Sequence, residues 1–231
     1  MNLKVITVVS DTDNPGHKEL IRSLQYFGYE YDVMIKPFEF GGQMKHIYEW
    51  CKSNWGWFLY TDGWDTFALS DKNEIEAAIS QPNFPKDVKC IFSAEKNCYP
   101  LRETAAIYPK CGTEWQYVNG GGLLCDCEYF VNMYEDGLID KVHERNDQQW
   151  LAEQYIKRHA SGEVALDSQC YIFQTIAFEN TWDFGRVSEQ IEDYKNGWKD
   201  RLRLINKHTN SLPVFIHGNA HTPMAKIWRL L

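Results

Sequence analysis

Asp62 and Asp65 flank Gly63 and Trp64 directly after the apolar run Trp57 to Thr61. A strand ending there would aim both carboxylates into one crevice. Hard oxygen ligands of this kind suit Mg²⁺ or Mn²⁺, which keep positions open for substrate phosphates. The same residues also make an ordinary turn in which Asp caps backbone amides. His217 follows Val214-Phe215-Ile216 and precedes Gly218, so it too should emerge at a strand end. An imidazole added to two carboxylates favours Mn²⁺ over Ca²⁺, with Mg²⁺ the alternative, whereas a lone histidine there reads as a hydrogen-bonded structural residue. An ion shared by the three would act as Lewis acid and template for a diphosphate leaving group.

Other segments carry weaker signals. Gly41-Gly42-Gln43 before a helix, and Asn119-Gly120-Gly121-Gly122 read as a turn after a strand, each allow backbone to approach a phosphate or sugar closely, or simply to pack tightly. Neither is a dinucleotide fingerprint or a Walker loop. Glu95 lies just past a strand. Asp147 lies at a helix start, where it either caps that helix or serves an acceptor hydroxyl as general base. Trp64, Tyr99 and Trp115 fall beside the expected crevice and offer faces for a base or sugar, although most of the aromatic residues should be core.

The elements that would position these groups alternate between strand and helix. Lys4 to Ser10 reads as a strand, Lys18 to Phe27 has helical spacing of Leu20, Ile21, Leu24 and Phe27, and Tyr31 to Ile35 returns to strand. Further helices are expected from Met44 to about Ser53 and over 71–79, 128–136 and 147–158. Strands are expected over 57–61, 90–93, 116–119 and 214–216. This alternation predicts an α/β fold with a mainly parallel sheet, whose strand carboxyl ends form the ligand crevice. No repeat or linker divides residues 1–231, which read as one domain.

Composition bounds the partners. At 44% hydrophobic and 24% charged the chain has material for a core, and it contains no apolar run of bilayer length. The Leu3 to Val9 run lacks a cleavage site, so a strand is expected there rather than a signal peptide. Seven cysteines without CxxC spacing point to free thiols in a cytoplasmic or other reducing compartment, with Cys125-Asp126-Cys127 read as structural. A net charge of −8 disfavours extended nucleic-acid binding but leaves room for a nucleotide diphosphate bridged by a cation.

Taken in order, several blocks resemble the glycosyltransferase domain of the multifunctional procollagen lysyl hydroxylases and its stand-alone viral relatives. They are Ile6 to Ser10, Gly41-Gly42-Gln43, Tyr60 to Asp65, Phe92 to Glu95 with Cys98-Tyr99-Pro100, Tyr117 to Gly122, Asn146 to Gln149, Leu166-Asp167 with Ile172 to Gln174, and His217-Gly218-Asn219. The resemblance implies a GT-A fold, a UDP-sugar donor and Mn²⁺. It implies Asp62, Asp65 and His217 as metal ligands and Trp64 as the aromatic contact to the donor nucleoside. Thr7 and Ser10 fall near uracil and ribose, and Gly218 and Asn219 toward the diphosphate. Glu95, Asn119 and Asp147 fall in the sugar and acceptor pocket. The chain departs from the family at Gln43-Met44-Lys45, at Asn146, which reduces an acidic run, and at Tyr99. The expected activity is hexosyl transfer to an acceptor hydroxyl on a hydroxylysine-type residue, a glycan or a hydroxylated nucleobase. A nucleotide-sugar or glycan-binding protein without turnover is the alternative.

Overall fold

The computed structural model describes residues 1–39, 41–136, 146–177, 183–193, 197–220, 222 and 224. Strand β1 (Leu3–Val9) leads through helix α1 (Pro15–Tyr26) to β2 (Tyr31–Ile35), which pairs parallel with β1, forming the expected βαβ unit. Asn14 caps α1 by accepting from Gly16 N at 2.8 Å, and Pro15 takes the first helical position, where its missing N–H costs nothing. Helix α2 (Gly42–Cys51) follows, then β3 (Trp57–Thr61), β4 (Thr66–Ala68), α3 (Lys72–Ile79) and β5 (Cys90–Glu95). The second half holds β6 (Tyr117–Asp126), α4 (Cys127–Glu135), α5 (Asp147–Arg158), β7 (Val164–Leu166), β8 (Phe173–Thr175), β9 (Phe184–Asp193), β10 (Gly197–Asn206) and β11 (Phe215–His217).

The central sheet has six strands in the order β2-β1-β3-β6-β5-β7, with β6 antiparallel to both neighbours and the other pairings parallel. This is the expected mixed, mostly parallel α/β sheet. Alternation along each strand fills both faces. Ile6, Phe58, Tyr60, Phe92 and Leu123 pack with Met44 and Ile47 of α2, Phe130 of α4 and Trp150 of α5. Their neighbours Val5, Leu59, Ile91 and Leu124 pack with Leu20 and Leu24 of α1 and Ile75 of α3. A smaller sheet, β4-β11-β8, adds Phe173 and Phe215 to the second face, and a two-stranded ladder joins β9 to β10.

Two expectations are corrected here. Residues 120–122 are not a turn but lie within β6, where Gly122 pairs with Thr61. Glycine is needed there for close approach: a Cβ on Gly120 would sit 2.9 Å from Gln148 Cβ, and one on Gly122 would sit 2.8 Å from Phe173 Cδ1. Trp115 does not border a crevice. It is 1% exposed, with the Lys96 ammonium 4.3 Å from its ring centroid. The strands β4, β7 and β8 escape sequence reading because three residues carry no period, and β9 and β10 because their apolar alternation is broken by charged residues. All seven cysteines are free. Cys125 faces Cys90 across the ladder, and Asp126 caps α4 by accepting from Tyr129 N. No helix among the described residues is long and apolar enough to cross a membrane.

Candidate functional site

Asp62 is the first residue beyond β3, and its N–H donates to Gly121 O on β6 at 3.1 Å. Asp65 precedes β4, which pairs antiparallel with β11 so that Thr66 faces His217. The Gly218 N–H donates to Asp65 O at 2.7 Å. Two sheet edges thus converge. His217 Nε2 lies 3.3 Å from Asp62 Oδ2 and 3.4 Å from Asp65 Oδ1, and one ligand atom from each residue falls within 4.8 Å of the others. Gly121 permits this closure, since a Cβ there would stand 2.1 Å from His217 Cε1 and 2.7 Å from Asp62 Oδ2.

The donor set fits a divalent cation. Asn119 Oδ1 lies 2.9 Å from His217 Nδ1 and accepts from Gly121 N at 3.0 Å. An amide oxygen can only accept, so Nδ1 carries the proton, and Nε2 faces the two carboxylates. Burial opposes charge on His217, but the charges and hydrogen bonds of Asp65 and Asp62 push its pKa up to about 10. For Asp62, burial likewise opposes ionisation, but hydrogen bonding and charge from His217, with a hydrogen bond from Tyr60, hold its carboxyl below the ordinary range. Electrostatics that retain a proton on Nε2 equally favour a divalent cation in its place.

Behind the triad lies a buried amide network. Asn119 Nδ2 donates to Glu95 Oε1 at 3.2 Å, Gln148 Nε2 donates to the same oxygen at 2.5 Å, and Asn219 Nδ2 donates to Glu95 Oε2 at 3.2 Å. Burial raises the Glu95 pKa against these three donors. Gln148 also accepts from Gly120 N at 3.1 Å and donates to Tyr99 O at 3.0 Å, tying α5 to β6 and to the loop after β5. Asn219 Oδ1 accepts from Ile176 N and Ala177 N at 3.1 and 2.8 Å, so its side chain is turned toward the protein. Asp167 likewise shapes the approach to β8, its carboxylate accepting from the N–H groups of Tyr171, Ile172 and Phe173.

Asp147 does not cap its own helix. Asn146 does, accepting from Gln148 N at 2.9 Å, while the Asp147 carboxylate is turned toward the backbone amides of Gln43 and Met44 in the first turn of α2, which favour its charged form. That helix starts at Gly41, in the left-handed region at φ 72°, without a side-chain cap of its own. Asp147 faces amides that sequence alone offered to a phosphate. Its Oδ1 is buried without a partner, and burial together with the Asp62 charge raises its pKa to about 7. A carboxylate so poised can take a proton from a hydroxyl near neutrality.

Two cavities meet at the triad. The larger, about 850 Å³, runs past Ser10, Gly16, Lys36 and Trp64 to Asp62 and Asp65; the smaller, about 300 Å³, joins the triad to Asn119, Asp147 and Gln148. Trp64 is 41% exposed along the larger cleft, its Nε1 donating to Asp11 O at 3.2 Å. Thr7 is buried beneath Gly63, lining neither cavity. Gly218 lines neither and braces Asp65 through its N–H. Lys45 is exposed on α2, away from both. Tyr60, Gln43 and Gln148 lie inside motifs visible in the sequence, but their side-chain contacts at the site are not legible there. Only Tyr60 had a readable signal, standing two residues before Asp62 and so on the same side of the strand.

A mixed sheet flanked by helices, with an acidic turn at a strand end and a histidine brought beside it, defines a GT-A-like glycosyltransferase domain. A solved structure of the same shape is a glycosyltransferase involved in the glycosylation of the major capsid of PBCV-1. It superposes with a TM-score of 0.51 at 11% identity, covering 97% of this chain and 95% of the other. The PLOD GT domain family model matches residues 1–226, and the chain belongs to that family. An uncharacterized protein of Acanthamoeba polyphaga mimivirus, R699, is 29% identical over 68% of this chain and 30% of its own length. Human procollagen-lysine,2-oxoglutarate 5-dioxygenase 2 is 26% identical over 95% of this chain and 30% of its own length. The chain thus spans about 30% of the length of these curated relatives.

Proposed function

We propose that the protein is a Mn²⁺-dependent hexosyltransferase that moves a sugar from a UDP-sugar to an acceptor hydroxyl. The observation that carries this reading is the convergence of Asp62, Asp65 and His217 at the junction of a long cleft and a small polar cavity. The long cleft has the volume and the exposed Trp64 face to take a nucleoside, with Ser10 on its floor. The small cavity has the half-buried Asp147 to face an acceptor. Asp62, Asp65 and His217 would hold the metal, which when bound supplies Lewis-acid stabilisation of the departing diphosphate.

The chain's own residues then divide the work. Asn119 keeps His217 in the tautomer whose Nε2 lone pair faces the carboxylates. Glu95, held by three amides, presents a fixed acceptor to the Asn119, Gln148 and Asn219 side chains that frame the sugar pocket. Asp147, on the small cavity, takes the acceptor's proton, with the nearby α2 amides favouring its charged form. Gly218 braces Asp65 through its N–H, and Asn219, on the small cavity, braces Glu95. Kinship to the procollagen lysyl hydroxylases supports a hydroxylysine-type acceptor, with a glycan or a hydroxylated nucleobase as the other acceptor classes.

The test is incubation with Mn²⁺, a panel of UDP-sugars and these acceptors, followed by UDP release and acceptor mass. Release with a hexose-mass increment is expected. UDP binding without release or transfer would identify a nucleotide-sugar-binding protein instead, and silence in both assays from folded protein would overturn the reading.

A further inference from the structure

Beneath the triad, Tyr60 is fully enclosed on the α2 side of β3. Its hydroxyl donates to Asp62 Oδ1 at 2.8 Å, and the other oxygen of that carboxylate, Oδ2, is the one facing His217. The same hydroxyl contacts the side-chain amide of Gln43. The contacting atom is Gln43 Oε1; a phenol has one proton and the carboxylate is the stronger acceptor, so with the amide turned by 180° its NH₂ group would donate to the phenol oxygen. Gln43 lies in the first turn of α2.

We infer that Tyr60, steadied by Gln43, is the positioning residue of the metal site: it pins Asp62 Oδ1 so that Oδ2 is offered to the cation. The inference rests on the metal site of the proposed function and adds two residues to it. It also gives Gly41-Gly42-Gln43 a role. Gly41, in the left-handed region, lets the chain turn into α2, and Gln43 in its first turn meets the Tyr60 hydroxyl that holds Asp62. A carboxylate without such a partner can rotate about its terminal torsion, and losing an outer partner of a ligand costs about 10–100-fold in metal affinity.

The experiment is Mn²⁺ titration of the full chain without donor, followed by the electron paramagnetic resonance signal of free Mn²⁺. Tyr60→Phe, which deletes one oxygen and keeps the ring, should raise Kd for Mn²⁺ by about 10–100-fold. The melting temperature of the metal-free protein should stay near that of wild type. Gln43→Leu should raise Kd in the same direction by a smaller factor. Tyr48→Phe, whose hydroxyl bonds Glu135 on the far side of α2, should leave it unchanged. Transfer by Tyr60→Phe should recover when Mn²⁺ is raised above the new Kd, a rescue that a collapsed site would not show. Wild-type Kd in both Tyr60→Phe and Gln43→Leu overturns the inference; should Tyr60→Phe not fold, an unchanged Kd in Gln43→Leu overturns it alone. Wild-type protein that binds no Mn²⁺ overturns the proposed function itself.

Discussion

Asp62 accepts from Tyr60, faces His217 and, in the function proposed, binds the cation, yet its side chain remains 32% exposed. It contributes chemistry more than packing. Asp62→Ala should therefore raise Kd for Mn²⁺ by more than about 100-fold, beyond the cost of losing an outer partner. Donor turnover should vanish with little change in melting temperature, checked by paired UDP-release and thermal-denaturation assays. Asp147 makes a prediction in pH. Its folded pKa of about 7 lies above the unfolded 3.8, so between those values the folded metal-free protein binds the extra proton. Its contribution to stability is full below about 3.8 and is lost as pH rises through about 7. Melting curves in chelator should show Asp147→Asn gaining on wild type over that window. As general base it must be ionised, so kcat/KM should climb through the same region and fall by about 10²–10⁴ in Asp147→Asn.

At the scale of elements, β6 decides the site. The run Asn119 to Gly122 brings a side chain that orients His217 and then three residues without side chains, over which Gln148, His217 and Phe173 approach the strand. Gly121→Ala forces a methyl group against His217 Cε1, and overpacking of this kind costs about 1–3 kcal/mol. Chemical denaturation should show that loss, and Mn²⁺ titration should show much weaker binding because the imidazole is displaced from the acids. Helix α2 is the second deciding element. Its amino end has no side-chain cap of its own and faces Asp147, and Gln43 in the same turn meets Tyr60. Neither contact is local. Propensity and periodicity therefore locate α2 without showing what its first turn binds.

In the whole molecule, β1 and β3 run parallel and direct Ser10 and Asp62 to one edge of the central sheet, while the small sheet brings His217 from far along the chain. Binding at such a junction ties the two sheets together. Mn²⁺ with UDP at about a hundred times Kd should stabilise the fold by about 2.7 kcal/mol. That corresponds to roughly 5–10 °C in melting temperature for a chain of this size, readable by differential scanning calorimetry. UDP without the metal should shift it far less, since the diphosphate would then face the carboxylates of Asp62 and Asp65 uncompensated. The overall charge of −8 argues the same way.

The sequence alone determined the elements whose pattern is long enough to repeat. The βαβ start, α2, β3, β5, α4 and α5 follow from apolar spacing and capping residues, and the placement of Asp62 and Asp65 at a strand end follows with them. The order of the motifs marked the family. Only the tertiary structure decided that Gly120 to Gly122 are strand and not turn, because either backbone suits glycine and the choice depends on what packs against it. Only it showed that Asn146 and not Asp147 caps α5, and that Trp115 is core. The meeting of His217 with two acids, and of Tyr60 with Gln43, depends on sheet pairings between distant segments. Such contacts have no period along the chain, and so no local signature from which to be read.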